Sequence, residues 1–396
     1  MTRRRLLGAI SAATAALAQT QRRYDILIRG GDVRDPSRGF SQRADVAILD
    51  GKIAAIEPTI PAERAADVID AKGLYVVPGL VDLHTHCHDG LGIGIAADPV
   101  AARSGVTTWI DAGTFAHNEI GGFRRYIVAP AQARIFGFVY LYPNSRNPDV
   151  NPVEYVRGGM RATGEAAVAN RDIILGVKFQ VGANMNGRYS LDFLKIAREL
   201  CDRYQLRLMA HVSFAPPSTD EVMALMKPGD VLTHCFNGHT LGIVDAGGKV
   251  RASVRDARAR GVLFDVGHGL GSFNFPAARK ALDDGFLPDS ISTDIYTLNL
   301  RGPVFDMPTT MSKMLHLGMS FEDVVLRTTA NPAKVVGDRV PGLGTLAVGA
   351  PADVALLEVQ EGQFQLVDSQ KNVEAAKRRI VSRLTICRGK RLVALA

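Results

Sequence analysis

The feature that most constrains this chain is a rhythm. Between residues 74 and 294, short apolar runs recur with helix-like segments between most of them. The runs are 74–83, 106–112, 135–141, 173–179, 206–212, 230–235, 262–266 and 290–294. The clearest intervening segment, 191–204, carries Leu194, Ala197, Cys201 and Tyr204 on one stripe, the periodicity of an amphipathic helix. Eight βα units in about 250 residues predict an α/β fold, a closed parallel (β/α)8 TIM-like barrel. An open doubly wound sheet is the alternative, but no G-x-G-x-x-G follows the first run, so a dinucleotide-binding sheet loses support.

The flanks read differently. Tyr24-Asp25-Ile26-Leu27-Ile28-Arg29 alternates before Gly30-Gly31, and Asp45–Leu49 leads through Asp50-Gly51 into Lys52–Ile56, a hairpin pattern. Asp353–Leu357 and residues 378–393 have the same strand character. The two chain ends, 22–78 and 340–396, are expected to build one small β-sandwich domain around a barrel spanning 79–339.

Residues 1–18 read as an export signal. Arg3–Arg5 form a charged start, 6–15 a mildly apolar stretch, and Ala16-Leu17-Ala18 an A-x-A cleavage pattern; Thr2–Leu7 is also similar to a twin-arginine signal. The alternatives are a membrane anchor or a plain helix, but the apolar run is shorter than the roughly 20 residues of a spanning helix. Export to the periplasm or the extracellular space is the expectation, and no other segment suggests a membrane partner. The net charge of +7 owes three charges to Arg3–Arg5, and the remaining basic residues are scattered, so nucleic-acid binding is not expected. Four cysteines (Cys87, Cys201, Cys235, Cys387) lack C-x-x-C spacing and could form at most isolated bridges.

Polar residues at the ends of the apolar runs carry the chemistry. His84 and His86 close the first run, Lys178 lies at the end of the fourth, His211 of the fifth, His234 of the sixth and Asp294 of the eighth. In a parallel barrel these ends converge on one face, where active sites sit. Spacing of two residues puts both imidazoles of His84 and His86 on one side of a strand, suited to one ion. A single histidine at a strand end is usually a satisfied polar residue; six such groups on one face point to a metal site. Lys178 is costly to bury unless paired or neutralised. Burial lowers an amine's pKa, and an uncharged amine can react with CO2 to give a carbamate, an anion able to bridge two metals. The alternative is a Lys178–Asp294 salt bridge.

These residues sit in recognisable phrases. Pro78-Gly79-Leu80-Val81-Asp82-Leu83-His84-Thr85-His86 resembles the first-strand signature of the amidohydrolase superfamily, which includes dihydroorotases, hydantoinases and metal-dependent deacetylases. Residues 228–238 (PGDVLTHCFNG), 264–269 (FDVGHG) and 302–313 (GPVFDMPTTMSK) are similar to its dihydroorotase-like amidohydrolase/deacetylase group. The resemblance spans about residues 22–396. It implies two divalent metal ions, with His84, His86 and Asp294 on the more buried one, His211 and His234 on the other, and carboxylated Lys178 between them. Tyr296 departs from the pattern, which often has histidine two residues after the aspartate.

The reaction implied by this resemblance is hydrolysis of an amide or ester of a small acyl compound. A metal-bridging hydroxide would attack, and Asp294 would carry the proton as general base and then general acid. Zinc fits nitrogen and oxygen ligands best, with manganese or iron as substitutes. The alternatives are a cyclic amidohydrolase of dihydroorotase or hydantoinase type, and a non-catalytic scaffold on the same fold. His268 and Asn237 are weaker candidates for substrate contact, Arg301 and Arg146 for a substrate carboxylate, and His88 for support behind the ligands. Homo-oligomers built through helices are compatible with the sequence.

Overall fold

A computed structural model describes residues 24–141 and 151–393. The export signal read at 1–18, and Arg146, lie outside the described residues.

Strands β1 (Tyr24–Asp35), β2 (Phe40–Leu49), β3 (Lys52–Glu57), β4 (Ala65–Asp70) and β5 (Tyr75–Pro78) come first. The barrel strands are next: β6 (Leu80–Thr85), β7 (Val106–Ala112), β8 (Arg134–Tyr140), β9 (Ile174–Val181), β10 (Arg207–Val212), β11 (Val231–Thr233) and β12 (Leu263–Asp265). Then come β13 (Val354–Val367), β14 (Val373–Cys387) and β15 (Lys390–Arg391). The barrel strands lie in chain order, each pairing parallel with the next. The strands of the two chain ends join in one eight-stranded ladder, β15-β14-β13-β5-β1-β2-β3 with β4 also on β1. Ile28, Val46, Ile69, Val76, Leu346, Val354 and Ile386 fill its own core. The fold is thus a (β/α)8-type barrel beside a small β-sandwich drawn from both termini.

Two details differ from the sequence reading. The first apolar run, 74–83, is two strands in two different sheets. β5 pairs with β1 and β13, while β6 opens the barrel against β7. Gly79 is the step between them: a Cβ there would lie 2.3 Å from Thr107 Oγ1 and 2.9 Å from Asp353 Cβ. Both strands are buried, so hydropathy runs through the boundary without a break.

The eighth run forms no regular strand. Single bridge pairs, Asp265 with Ser290 and Thr85 with Ile295, connect it to β12 and β6 and nearly close the barrel. Its backbone is diverted because the buried Asp82 carboxyl takes both the Thr293 amide (3.0 Å) and the Thr293 hydroxyl (2.6 Å).

The helix Ser190–Tyr204 keeps its predicted stripe, burying Leu194, Ala197 and Cys201, and it ends where Gln205 turns left-handed (φ 52°). All four cysteines are free and buried, so the option of a bridge is removed. Among the described residues no helix is long and apolar enough to cross a membrane.

Candidate metal centre

The barrel brings the six predicted residues to one end. His84 is buried in β6, and His86 lies just beyond it. The Nε2 atoms of both face Asp294 Oδ1, at 3.3 and 3.1 Å. Lys178 lies within β9 rather than at its last residue, and its Nζ reaches His84 Nε2 at 3.0 Å. His211, in β10, stands edge-on to His234 (centroids 4.2 Å, 82°), with its Nδ1 2.8 Å from His234 Nε2. His84, His234 and Asp294 each offer a ligand atom, all within 4.8 Å of one another.

Two of these residues hold left-handed backbone, His234 at φ 69° and Asp294 at φ 49°. That conformation costs a non-glycine residue on the order of 1–2 kcal/mol, so surrounding contacts must impose it. For Asp294 they are the amide bond to His84 O (2.6 Å) and the Asn299 Nδ2 bond to its carbonyl (2.7 Å).

Hydrogen bonds behind the rings decide which nitrogen carries the proton. Thr233 Oγ1 donates to Asp265 Oδ2 (2.7 Å) and so accepts from His84 Nδ1 (2.7 Å). Thr114 Oγ1 donates to Asp111 Oδ2 (2.8 Å) and so accepts from His86 Nδ1 (2.8 Å). His234 Nδ1 donates to Gly267 O (2.6 Å). In all three rings the proton is held on Nδ1, and a bare Nε2 lone pair points into the cluster.

Burial works in the same direction. Desolvation, then the nearby Lys178 and His234, hold His84 well below the usual imidazole range. Desolvation and then His234 do the same for His211, and desolvation takes His234 down to about 4. These three imidazoles are neutral at pH 7, and so available as ligands.

The supporting groups escaped the sequence reading. Asp111 takes the amides of Cys87, His88, Gly113 and Thr114 as well as the Thr114 hydroxyl. Asp265 takes the hydroxyls of Thr233, Ser290 and Ser292. The available signal was an aspartate inside or ending an otherwise apolar run, which is expensive unless it serves several donors.

Lys178 makes no ion pair with Asp294. Its Nζ donates to His84 Nε2 and to Ala112 O (3.1 Å), and among the described residues no carboxylate lies within ion-pair distance. Desolvation lowers its amine to about 8. Lowering the pKa this far enlarges the uncharged fraction of the amine near neutral pH relative to a free lysine, and the uncharged form is the one that reacts with CO2 to give a carbamate.

Gly267 and Gly269 shape the wall beside the cluster. A Cβ on Gly267 (φ +49°) would lie 2.3 Å from Thr233 Oγ1 and 2.8 Å from His234 Nδ1. One on Gly269 (φ +56°) would lie 2.3 Å from Asp294 Oδ2. Imidazole nitrogens with fixed lone pairs, one carboxylate and a backbone cradle fit divalent metal of the nitrogen- and oxygen-preferring kind.

The polar groups of His268 and Asn237 are engaged within the protein. Both are buried. His268 is held through Nδ1 at Gly269 O (2.9 Å) and Nε2 at Lys313 Nζ (2.7 Å). Asn237 Nδ2 donates to His234 O (2.8 Å), and its Oδ1 accepts from His239 N (2.9 Å). Through these bonds both side chains brace the loops beside the cluster. Tyr296 packs edge-on to His86 (5.9 Å, 88°), and Arg301 is exposed. His88 stacks on Phe123 (5.6 Å, 27°), behind the ligands.

Comparison with known proteins places this geometry. The model of the Amidohydrolase family matches residues 75–392. The protein named Deacetylase Atu3266, of Agrobacterium fabrum, is 34% identical over 349 residues, which are 86% of this chain and 85% of that one. A crystal structure described as an adenine deaminase superposes with a TM-score of 0.82 at 33% identity, covering 93% of this chain and 99% of that one. One described as a dihydroorotase gives 0.81 at 32% identity, covering 94% and 99%.

Proposed function

The chain belongs to the amidohydrolase family, and from that premise we propose that it is a hydrolase of deacetylase type, cleaving the amide or ester of a small acyl compound with two divalent metal ions. The observation that carries the reading is the convergence of His84, His234 and Asp294 ligand atoms within 4.8 Å, with imidazole protons held on the outward nitrogens. The relative named a deacetylase, similar along most of both chains, supports the choice of bond.

His84, His86 and Asp294 would hold one ion and His211 and His234 the other, with Lys178, once carboxylated, reaching both. Zinc suits the set best, and manganese or iron would serve. When bound, such ions acidify water towards neutral pH and polarise a carbonyl oxygen.

The chain's own residues do the rest. Asp294 takes up the proton released as water attacks and returns it to the leaving nitrogen or oxygen. Its carboxylate is aimed for this task by the His84 O and Asn299 bonds to its backbone and by the close approach of Gly269. The Thr–Asp pairs keep a proton on the outward Nδ1 of His84 and His86.

A second reading, hydrolysis of a cyclic amide, is favoured by the likeness to the structure described as a dihydroorotase. A hydrolysis panel separates the two: N-acetyl amino acids, acetylated hydroxy acids, dihydroorotate, hydantoins and adenine. Turnover of the acyl compounds is expected. Turnover confined to dihydroorotate or hydantoins would transfer the assignment, and none in metal-supplemented buffer would refute it.

A further inference from the structure

One buried cation remains without a task. Lys313 projects from the helix Met307–His316 and is 1% exposed. Its Nζ donates to His268 Nε2 (2.7 Å) and to Pro303 O (2.8 Å), and among the described residues it makes no ion pair. A lysine hidden without a carboxylate is unfavourable unless its hydrogen bonds do something in return.

The position of His268 explains what. Its Nδ1 faces Gly269 O, an acceptor only, so that nitrogen carries the proton and Nε2 needs a donor. Lys313 supplies it. The ring is also clamped flat against Phe273 (4.7 Å, 24°). From the other domain, Ser369, between β13 and β14, shares its one hydroxyl proton between His268 O (3.1 Å) and Gly269 O (3.0 Å). The turn so held is the one whose Gly267 carbonyl accepts the Nδ1 proton of His234 and whose Gly269 backbone abuts Asp294.

We propose that Lys313 is a positioning residue: by donating to His268 Nε2 it fixes the Gly267–Gly269 turn, and through that turn the ligand nitrogen of His234 and the carboxylate of Asp294. The proposal rests on reading this cluster as a metal centre, but its structural part can be tested separately. Lys313 and His268 lie on different elements, 45 residues apart, so their coupling is made only in the folded barrel. A bond that orients a ligand from behind is worth about 10–100-fold in metal affinity or activity.

The test is a double-mutant cycle of Lys313→Met and His268→Phe with ¹⁵N-histidine NMR on the full chain. In the unmutated protein His268 should show a protonated Nδ1 and a bare, hydrogen-bonded Nε2. Lys313→Met should move that Nε2 signal and the His234 Nδ1–H signal, and weaken zinc binding about tenfold. In the His268→Phe background the same change should weaken zinc binding less than about twofold, because contacts acting through one residue are not additive. Additive losses would overturn the proposal, as would a protonated His268 Nε2 in the unmutated protein, a reading that survives misfolding of either variant. Because the NMR signals need neither turnover nor metal, an inactive or metal-free protein would refute the proposed function while leaving this coupling measurable.

Discussion

Thr233→Val removes one hydroxyl and keeps the shape of the side chain. That hydroxyl is fully buried and serves two groups at once, donating to Asp265 Oδ2 and accepting from His84 Nδ1, each at 2.7 Å. Its loss strands the His84 Nδ1–H and takes from Asp265 one of its three hydroxyl donors. Leaving a buried partner unsatisfied costs about 1–3 kcal/mol, and the metal-free protein should lose about that much through the stranded His84 Nδ1–H, since Asp265 keeps the Ser290 and Ser292 donors. Without its acceptor His84 is free to carry the proton on Nε2, the nitrogen that faces Asp294, and metal affinity should fall about 10–100-fold. Thr233→Ser, which keeps the hydroxyl, should stay near the parent value. Competition with a chelator measures the affinity, and denaturant unfolding of the metal-free protein measures the stability. If valine and serine bind zinc equally well, the Thr–Asp pairs do not set the histidine tautomers and the account of the ligands is wrong.

Further predictions concern single atoms. Asp294→Asn should lower turnover by about 10²–10⁴-fold with metal content near normal, measured by steady-state kinetics and elemental analysis; full activity would end the proton-carrying role. Gly269→Ala should displace Asp294 and cost activity and on the order of 1–2 kcal/mol, whereas Gly271→Ala, with nothing within 4 Å, should change neither activity nor melting temperature. Burial lowers the Lys313 amine to about 7, from 10.5 in the unfolded chain. The unfolded state therefore binds more protons between about pH 7 and 10.5, and stability should rise with pH across that window by up to about 1.4 kcal/mol per unit. Below pH 7 both states are protonated and this contribution is flat. Lys313→Met should flatten the rise, read from melting temperatures of the metal-free protein; an unchanged slope would refute it.

Legibility in the sequence tracked the physics of each part. The run 106–112 coincides with β7 because a strand buried on both faces and closed by glycines at both ends has sharp limits. The step at Gly79 was hidden because both strands it joins are buried, so only the contact between Gly79, Thr107 and Asp353, remote in sequence, marks it. The eighth run lost its ladder to Asp82, a competition no local pattern reveals. Histidines at strand ends were legible because strand direction alone carries them to one face. Their partners were not: Asp265 and Asp111 act through threonines from other parts of the chain. The bonds that hold the His268 loop were not legible either, since they depend on donors such as Lys313, 45 residues away.

The central claim is that these side chains hold metal. Elemental analysis of the purified protein, before and after incubation with zinc or manganese and bicarbonate, tests it most directly. About two ions per chain, falling when His234 or Lys178 is replaced by alanine, is the predicted result. A protein that stays metal-free under both conditions would contradict it.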